Sequence, residues 1–161
     1  MSPPTSPLFR LIYRSRQTFP VAANLDHFVH RIIEGAIPNN RDDGLTGLLI
    51  TVQGYFIQAL EGPVDAVRNT FARISRDPRH HDPRIISQGP VKQRLFSDWN
   101  MCARALAFSD KAILDVIDVK GAFNPDRLTP RSVECLLTTV AAIQRRVITG
   151  ADSANTLATV D

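Results

Sequence analysis

The sequence predicts an α+β fold: a ferredoxin-like β-α-β-β-α-β unit with a fifth strand, two helices on one sheet face and two C-terminal helices over the other. Three observations predict it. Short apolar runs alternate with stretches whose apolar residues recur at helical spacing. The central runs are continuously apolar rather than alternating, so both sheet faces have to be covered. Two further helical stretches follow the last run, enough to cover the face that the first pair leaves open.

Residues 1–7, with three prolines and two serines, read as a disordered lead. Leu8 to Tyr13 is a short apolar run with aromatic content and makes the first strand. Ser15 to Ala23, with Pro20, makes a loop, and Asn24 can cap a helix whose stripe is Leu25, Phe28, Val29, Ile32, Ile33 and Ala36. Pro38 closes that helix. Leu45 to Val52 and Tyr55 to Leu60 are strands joined by Gln53-Gly54, a pair suited to a tight hairpin. Gly62-Pro63 opens the second helix, with Asp65 near the positive end of its dipole and Val64, Val67, Phe71 and Ile74 as its stripe. Arg84 to Gln88 and an irregular Leu95 to Leu106 supply the last strands. The covering helices are Asp110 to Val119 after Ser109, and Pro130 to Ile148 after Thr129, the latter striped by Val133, Leu136, Leu137, Val140 and Val147. The divisions are therefore 1–7, a domain over 8–106, a helical extension over 107–149 and a flexible tail over 150–161.

Composition narrows the class. A chain of 161 residues suits one domain, and no apolar run approaches the roughly 18 residues of a membrane span. The N-terminus lacks the basic-then-apolar order of a secretory signal. Cys102 and Cys135 are too few for a disulfide framework or a cysteine zinc site, which points to a reducing cytoplasm. A net charge of +3 permits an anionic ligand without demanding nucleic acid. His27 and His30 lie three apart on the first helix with no third ligand nearby, and adjacent His80 and His81 point apart in an extended segment, so no metal is expected. There is no phosphate loop, dinucleotide fingerprint, nucleophile elbow or HExxH, so hydrolytic chemistry has no supporting motif.

Some residues do not fit a bland core. Gln58 lies between Ile57 and Ala59 in a buried run, where an unpaired amide costs on the order of 1–3 kcal/mol. It is either a ligand-facing amide or a glutamine bonded to nearby backbone or placed at a sheet edge. Tyr13 ends the strand expected beside it, as a core tyrosine or as a functional phenol. Asn39-Asn40 follow Pro38, as turn and C-cap residues or as ligand contacts. Arg73, Arg76, Asp77, Arg79, His80 and His81 gather after the second helix, a cluster that elsewhere is ordinary solvated surface.

These residues fall in segments that together resemble the BLUF family, the sensors of blue light using FAD. The segments are Leu11-Ile12-Tyr13-Arg14-Ser15, Asn39-Asn40 followed by Gly44-Leu45-Thr46-Gly47-Leu48-Leu49, and Phe56-Ile57-Gln58-Ala59-Leu60-Glu61-Gly62. Arg76-Asp77-Pro78-Arg79-His80-His81 and Phe96-Ser97-Asp98-Trp99-Asn100-Met101 complete the match, in order, over about residues 8–106. The tail looks like the two-helix extension of short, stand-alone members. The resemblance implies that Tyr13 is the photoactive tyrosine and Gln58 the glutamine between it and the flavin, with light driving electron and proton transfer through the pair and a red shift of the flavin. It implies that Asn40, and in some members Asn39, contact the ring, and that Trp99 and Met101 are a switching pair on the fifth strand. Arg73, Asp77 and His80 match positions near the cofactor in relatives. Apolar side chains such as Ile32, Ile33 and Phe71 can wall a flat aromatic cofactor, and buried amides can match its polar edge. FAD is the implied chromophore, and ring contacts do not decide it against FMN or riboflavin.

The expected protein is a photoreceptor rather than an enzyme. It would signal through the fifth strand and C-terminal helices to a separate protein partner, as a homo-oligomer with no membrane or nucleic-acid role. The alternatives are a small flavin-dependent enzyme on the same fold and a ferredoxin-like RNA- or protein-binding module.

Overall fold

The computed structural model of the chain describes residues 7–106 and 123–158, the last ten of these by backbone alone. The first strand, β1 (Leu8–Gln17), is buried along almost its whole length because it lies inside the sheet. A short helix α1 (Phe19–Ala23) and a long helix α2 (Leu25–Asp43) follow, then the hairpin β2 (Thr46–Val52) and β3 (Tyr55–Pro63). Helix α3 (Val64–Ser75), strand β4 (His80–Pro90), strand β5 (Ala103–Leu106), a 3₁₀ turn at Pro125–Arg127 and helix α4 (Pro130–Ala158) complete the described chain. The sheet order is β4-β1-β3-β2-β5, antiparallel except for the β2–β5 pair. This is the expected ferredoxin-like arrangement with an added strand.

The hairpin fixes the register. Gln53 and Gly54 both have positive φ, 45° and 86°, the two-residue turn whose twist matches its strands. Val52 then faces Tyr55, Leu49 faces Gln58, and across the next pair Tyr13 faces Gln58. Leu11, Tyr13, Leu49, Phe56 and Leu60 form one core with α2 and α3. Ile12, Leu48, Ile50 and Ile57 form the other with Val133, Leu136, Leu137 and Val140 of α4. The second sheet face is thus covered, so it offers no open aromatic platform of the kind a base-stacking module uses.

Several elements differ from the sequence reading. The segment read as a loop over 15–23 is the end of β1 followed by α1, which Pro20 opens from within its first turn. Asn24 makes no side-chain cap; its carbonyl oxygen accepts from Phe28 N–H instead. Helix α2 does not end at Pro38 but runs through it to Asp43. The turn after Pro38 is held from outside: Asn40 is buried, its carbonyl oxygen accepts from Leu45 N–H at 2.7 Å, and Gly44 closes the helix at φ 71°. Strand β4 is longer than Arg84–Gln88, reaching from His80 to Pro90.

The stretch read as a strand from Leu95 is strand only from Ala103. Its earlier backbone groups bond at irregular intervals: Gly47 N–H to the Trp99 carbonyl, Leu49 N–H to the Cys102 carbonyl, and Leu95 and Phe96 N–H to the Glu61 carboxylate. Glu61 is fully buried, and such a charge persists only when paired; Arg10 Nε supplies the pair at 2.9 Å and Thr46 a further donor. Thr129 caps α4 as expected, its hydroxyl accepting from Ser132 N–H at 3.1 Å. The apolar stripe of α4 ends before Val147, which is 52% exposed. The helix backbone continues to Ala158 over residues read as tail, because that stretch holds no proline and Gly150 alone does not stop a helix. The helix expected over Asp110–Val119 and the lead over 1–6 lie outside the described residues. Among the described residues no helix is long and apolar enough to cross a membrane.

Candidate functional site

A cavity of about 270 Å³ opens between α2 and α3 above the middle of the sheet. Tyr13, Leu49, Phe56 and Gln58 form its floor. The opposed register of β1 and β3 puts Tyr13 and Gln58 on one face, and there they meet: the phenol donates to Gln58 Oε1 at 2.5 Å. The other end of the amide, Nε2, reaches Met101 Sδ at 3.4 Å. Gln58 is 4% exposed, so both ends of its amide are committed in a dry environment, one to a strong partner and one to a weak thioether acceptor. Burial pushes the Tyr13 phenol well above the usual tyrosine value, with the nearby Asp77 carboxylate adding to it.

Helix α2 contributes Ile32, Gly35, Ala36, Asn39 and Asn40, one face over two turns. A Cβ built on Gly35 meets nothing within 4 Å, so this glycine, costly by about 1 kcal/mol inside a helix, keeps space open. Asn40 Nδ2 donates to the Asn100 carbonyl at 2.9 Å, and its amide oxygen has no partner among the described residues. Asn39 is exposed and bonds back to the Gly35 carbonyl. The far wall is Thr70, Arg73 and Ile74 of α3, then Asp77, Arg79 and His80. Arg79 forks onto Asp77, Nε to Oδ1 at 2.9 Å and Nη2 to Oδ2 at 2.5 Å, and these hydrogen bonds hold the Asp77 carboxyl below its usual range. His80 Nε2 faces the Ile74 carbonyl at 2.6 Å, which can only accept, so that nitrogen carries the hydrogen and Nδ1 faces Ser15 Oγ.

Of the residues singled out in the sequence, Tyr13, Ile32, Asn39, Asn40, Gln58, Arg73, Asp77 and His80 line this cavity. Phe71 stands behind it, its ring 5.1 Å from that of Tyr13, and Ile33 faces a second groove beside β5. Met101 packs in the cavity-side core, whereas Trp99 packs against the opposite core with the Arg145 guanidinium 5.2 Å from its ring. The sequence reading named Leu49, Phe56 and Arg79 only as parts of longer segments and gave them no role in a cavity, although the hairpin register could have found the first two; it did not single out Arg31 or Thr70. His27 packs edge-on against Phe28 and His30 pairs with Glu34, and among the described residues no group of three His, Cys, Asp or Glu side chains could hold a metal ion.

The arrangement fits a flat heteroaromatic molecule with a polar edge: apolar walls, an open glycine stretch, an amide oxygen awaiting a donor, and arginines at the rim. The model of the family described as BLUF, sensors of blue-light using FAD, matches residues 8–102. The photoactivated adenylate cyclase subunit beta of Euglena gracilis is 39% identical over 95 residues, which is 58% of this chain and 11% of that protein. The corresponding subunit alpha from the same organism is 32% identical over 94 residues, 58% of this chain and 9% of that protein. The chain therefore spans only about a tenth of the length of these curated relatives. Among solved structures, BlrB, described as a BLUF protein in its dark state, is 30% identical with a TM-score of 0.69 over 86% of this chain and 98% of that one. BlsA in its ground state shares the fold at a TM-score of 0.71 and 22% identity, over 83% of this chain and 87% of that one.

Proposed function

The chain belongs to the BLUF family, a family of flavin-binding blue-light sensors, and from that premise we propose that it is a photoreceptor in which Tyr13 and Gln58 form the light-sensitive pair. The observation that carries this reading is the 2.5 Å hydrogen bond from Tyr13 to Gln58 in the floor of the cavity, with Met101 on the far end of the same amide. A flavin bound there, as FAD, supplies the blue absorption band, an excited state that accepts an electron, and carbonyls whose hydrogen bonds tune its colour.

The residues of the chain do the rest. Ile32, Ala36 and Ile74 would hold the ring from its sides, with Asn40, and Asn39 next to it, toward the polar edge. Arg73, Asp77 and His80 complete the wall. Tyr13 keeps its proton in the dark because burial disfavours the phenolate; were it to give an electron to the excited flavin, its phenol would become strongly acidic and Gln58 Oε1 would be the acceptor of its proton, both returning when the pair recombines. Reorienting the Gln58 amide, by rotation or tautomer exchange, exchanges the groups that face Tyr13 and Met101. The thioether is a weak acceptor, so Met101 is released at small cost. Met101 and Trp99, two residues apart but in opposite cores, then pass the change to β5 and α4 and on to a separate protein partner. No net reaction is left when the pair relaxes, so the chain acts as a sensor and not as an enzyme.

The test is the visible spectrum of the purified protein before and after blue illumination. A reversible shift to longer wavelength is expected, and Gln58→Leu should stay yellow while losing it. Yellow wild-type protein whose bands do not move would overturn the reading.

A further inference from the structure

The stretch from Leu95 to Met101 is gripped by the sheet and by α4 together. Glu61 on β3 takes the N–H groups of Leu95 and Phe96 at 2.7 and 2.9 Å. From α4, Arg145 Nη2 donates to the Leu95 carbonyl at 2.9 Å, Arg145 Nε pairs with the Asp98 carboxylate, and the same guanidinium lies 5.2 Å from the centre of the Trp99 ring. One side chain of α4 therefore meets backbone, carboxylate and ring of a single short stretch. Two residues beyond Trp99, Met101 holds the sulfur to which Gln58 donates.

Taken alone, the ion pair is unremarkable: both side chains are nearly half exposed, and such pairs contribute little. The combination is different. A guanidinium is a rigid planar fork whose donors point in fixed directions. It satisfies a carbonyl and a carboxylate while facing an indole only for one shape of Leu95–Trp99. A rearrangement that moves Met101 and turns the chain at Trp99 must break at least one of these contacts.

We propose that Arg145 is the positioning residue through which α4 follows the Leu95–Met101 stretch, so that the state of Gln58 is read on the far face of the sheet. The inference rests on the photosensor reading above. Its physical content is a chain of contacts with two arrangements, Gln58 to Met101, Met101 to Trp99 along the backbone, and Trp99 to Arg145.

Hydrogen exchange read by mass spectrometry on the full flavin-loaded chain, in the dark and under blue light, tests it. Wild-type protein should show the red shift together with a light-dependent change of exchange in peptides from residues 133–148. Arg145→Ala should keep the red shift and lose that change, while Arg145→Lys, which retains the charge for Asp98 without the fork, should keep part of it. Should Arg145→Ala fail to fold by circular dichroism, Asp98→Ala, which removes the carboxylate that Arg145 Nε pairs with, should weaken the change. The proposal is overturned if Arg145→Ala, or both milder variants, give the wild-type exchange difference, or if wild type shifts its spectrum with no exchange difference in α4. A wild-type protein with no red shift would instead remove the photosensor reading.

Discussion

A phenol and a primary amide facing each other in a dry sheet interior hold one another in place. The Tyr13 oxygen has one hydrogen to give, and the oxygen of Gln58 is where it goes. Burial raises the phenol, so its effect on stability has a definite sign. Below pH 10, the ordinary tyrosine value, the phenol is protonated whether the chain is folded or not, and the full contribution is present. Above it the unfolded chain ionises first while the buried phenol keeps its proton, and stability falls by up to about 1.4 kcal/mol per pH unit from this group. Urea unfolding of wild type and Tyr13→Phe from about pH 8 to 11 checks this: the wild type should lose ground to the variant only in the alkaline half. Tyr13 and Gln58 are legible in the sequence because a polar group within an apolar run is anomalous wherever it occurs. Arg31 and Thr70 are not, because an arginine or threonine on an amphipathic helix is most often solvated.

Elements place those residues, and the β2–β3 pair does so with little tolerance. A Cβ on Gly47 would lie 2.1 Å from the Ala59 carbonyl oxygen and 3.0 Å from Met101 Cε. The first obstacle is backbone and cannot step aside. Gly47→Ala should therefore cost at least the roughly 1–3 kcal/mol of ordinary overpacking and push Met101 away from Gln58. The denaturation midpoint and the dark-state spectrum should both move; a variant as stable as wild type would contradict the contact. Strand register was legible because the two-residue Gln53-Gly54 turn pairs Val52 with Tyr55 and so fixes every pair behind it. Helix ends were less so. Pro38 reads as a stop by local rules, yet the buried Asn40, tied to Asn100 and Leu45, carries α2 five residues further. Leu95–Leu106 has the composition of a strand, but its hydrogen bonds go to a carboxylate and to isolated backbone groups, which no pattern of apolar residues encodes.

At the scale of the molecule, the sheet is a partition with a cavity on one side and α4 on the other. The two halves can therefore be perturbed separately. Leu137→Ala, at a fully buried position under the sheet, should lower stability by about 2–5 kcal/mol while leaving the flavin spectrum unchanged. Equilibrium unfolding together with the absorption spectrum checks both halves; a shifted flavin band would mean that the partition leaks. The layer order was legible because few topologies satisfy five short strands and their connections. The grip of Arg145 was not, since its partners lie far away along the chain and become neighbours only when the last helix docks. Trp99, wedged beneath that guanidinium, is the single tryptophan of the chain. The molecule thus contains its own luminescent gauge: indole emission, excited apart from tyrosine, comes from one known spot in the mobile-or-fixed stretch and can be followed in unlabelled protein.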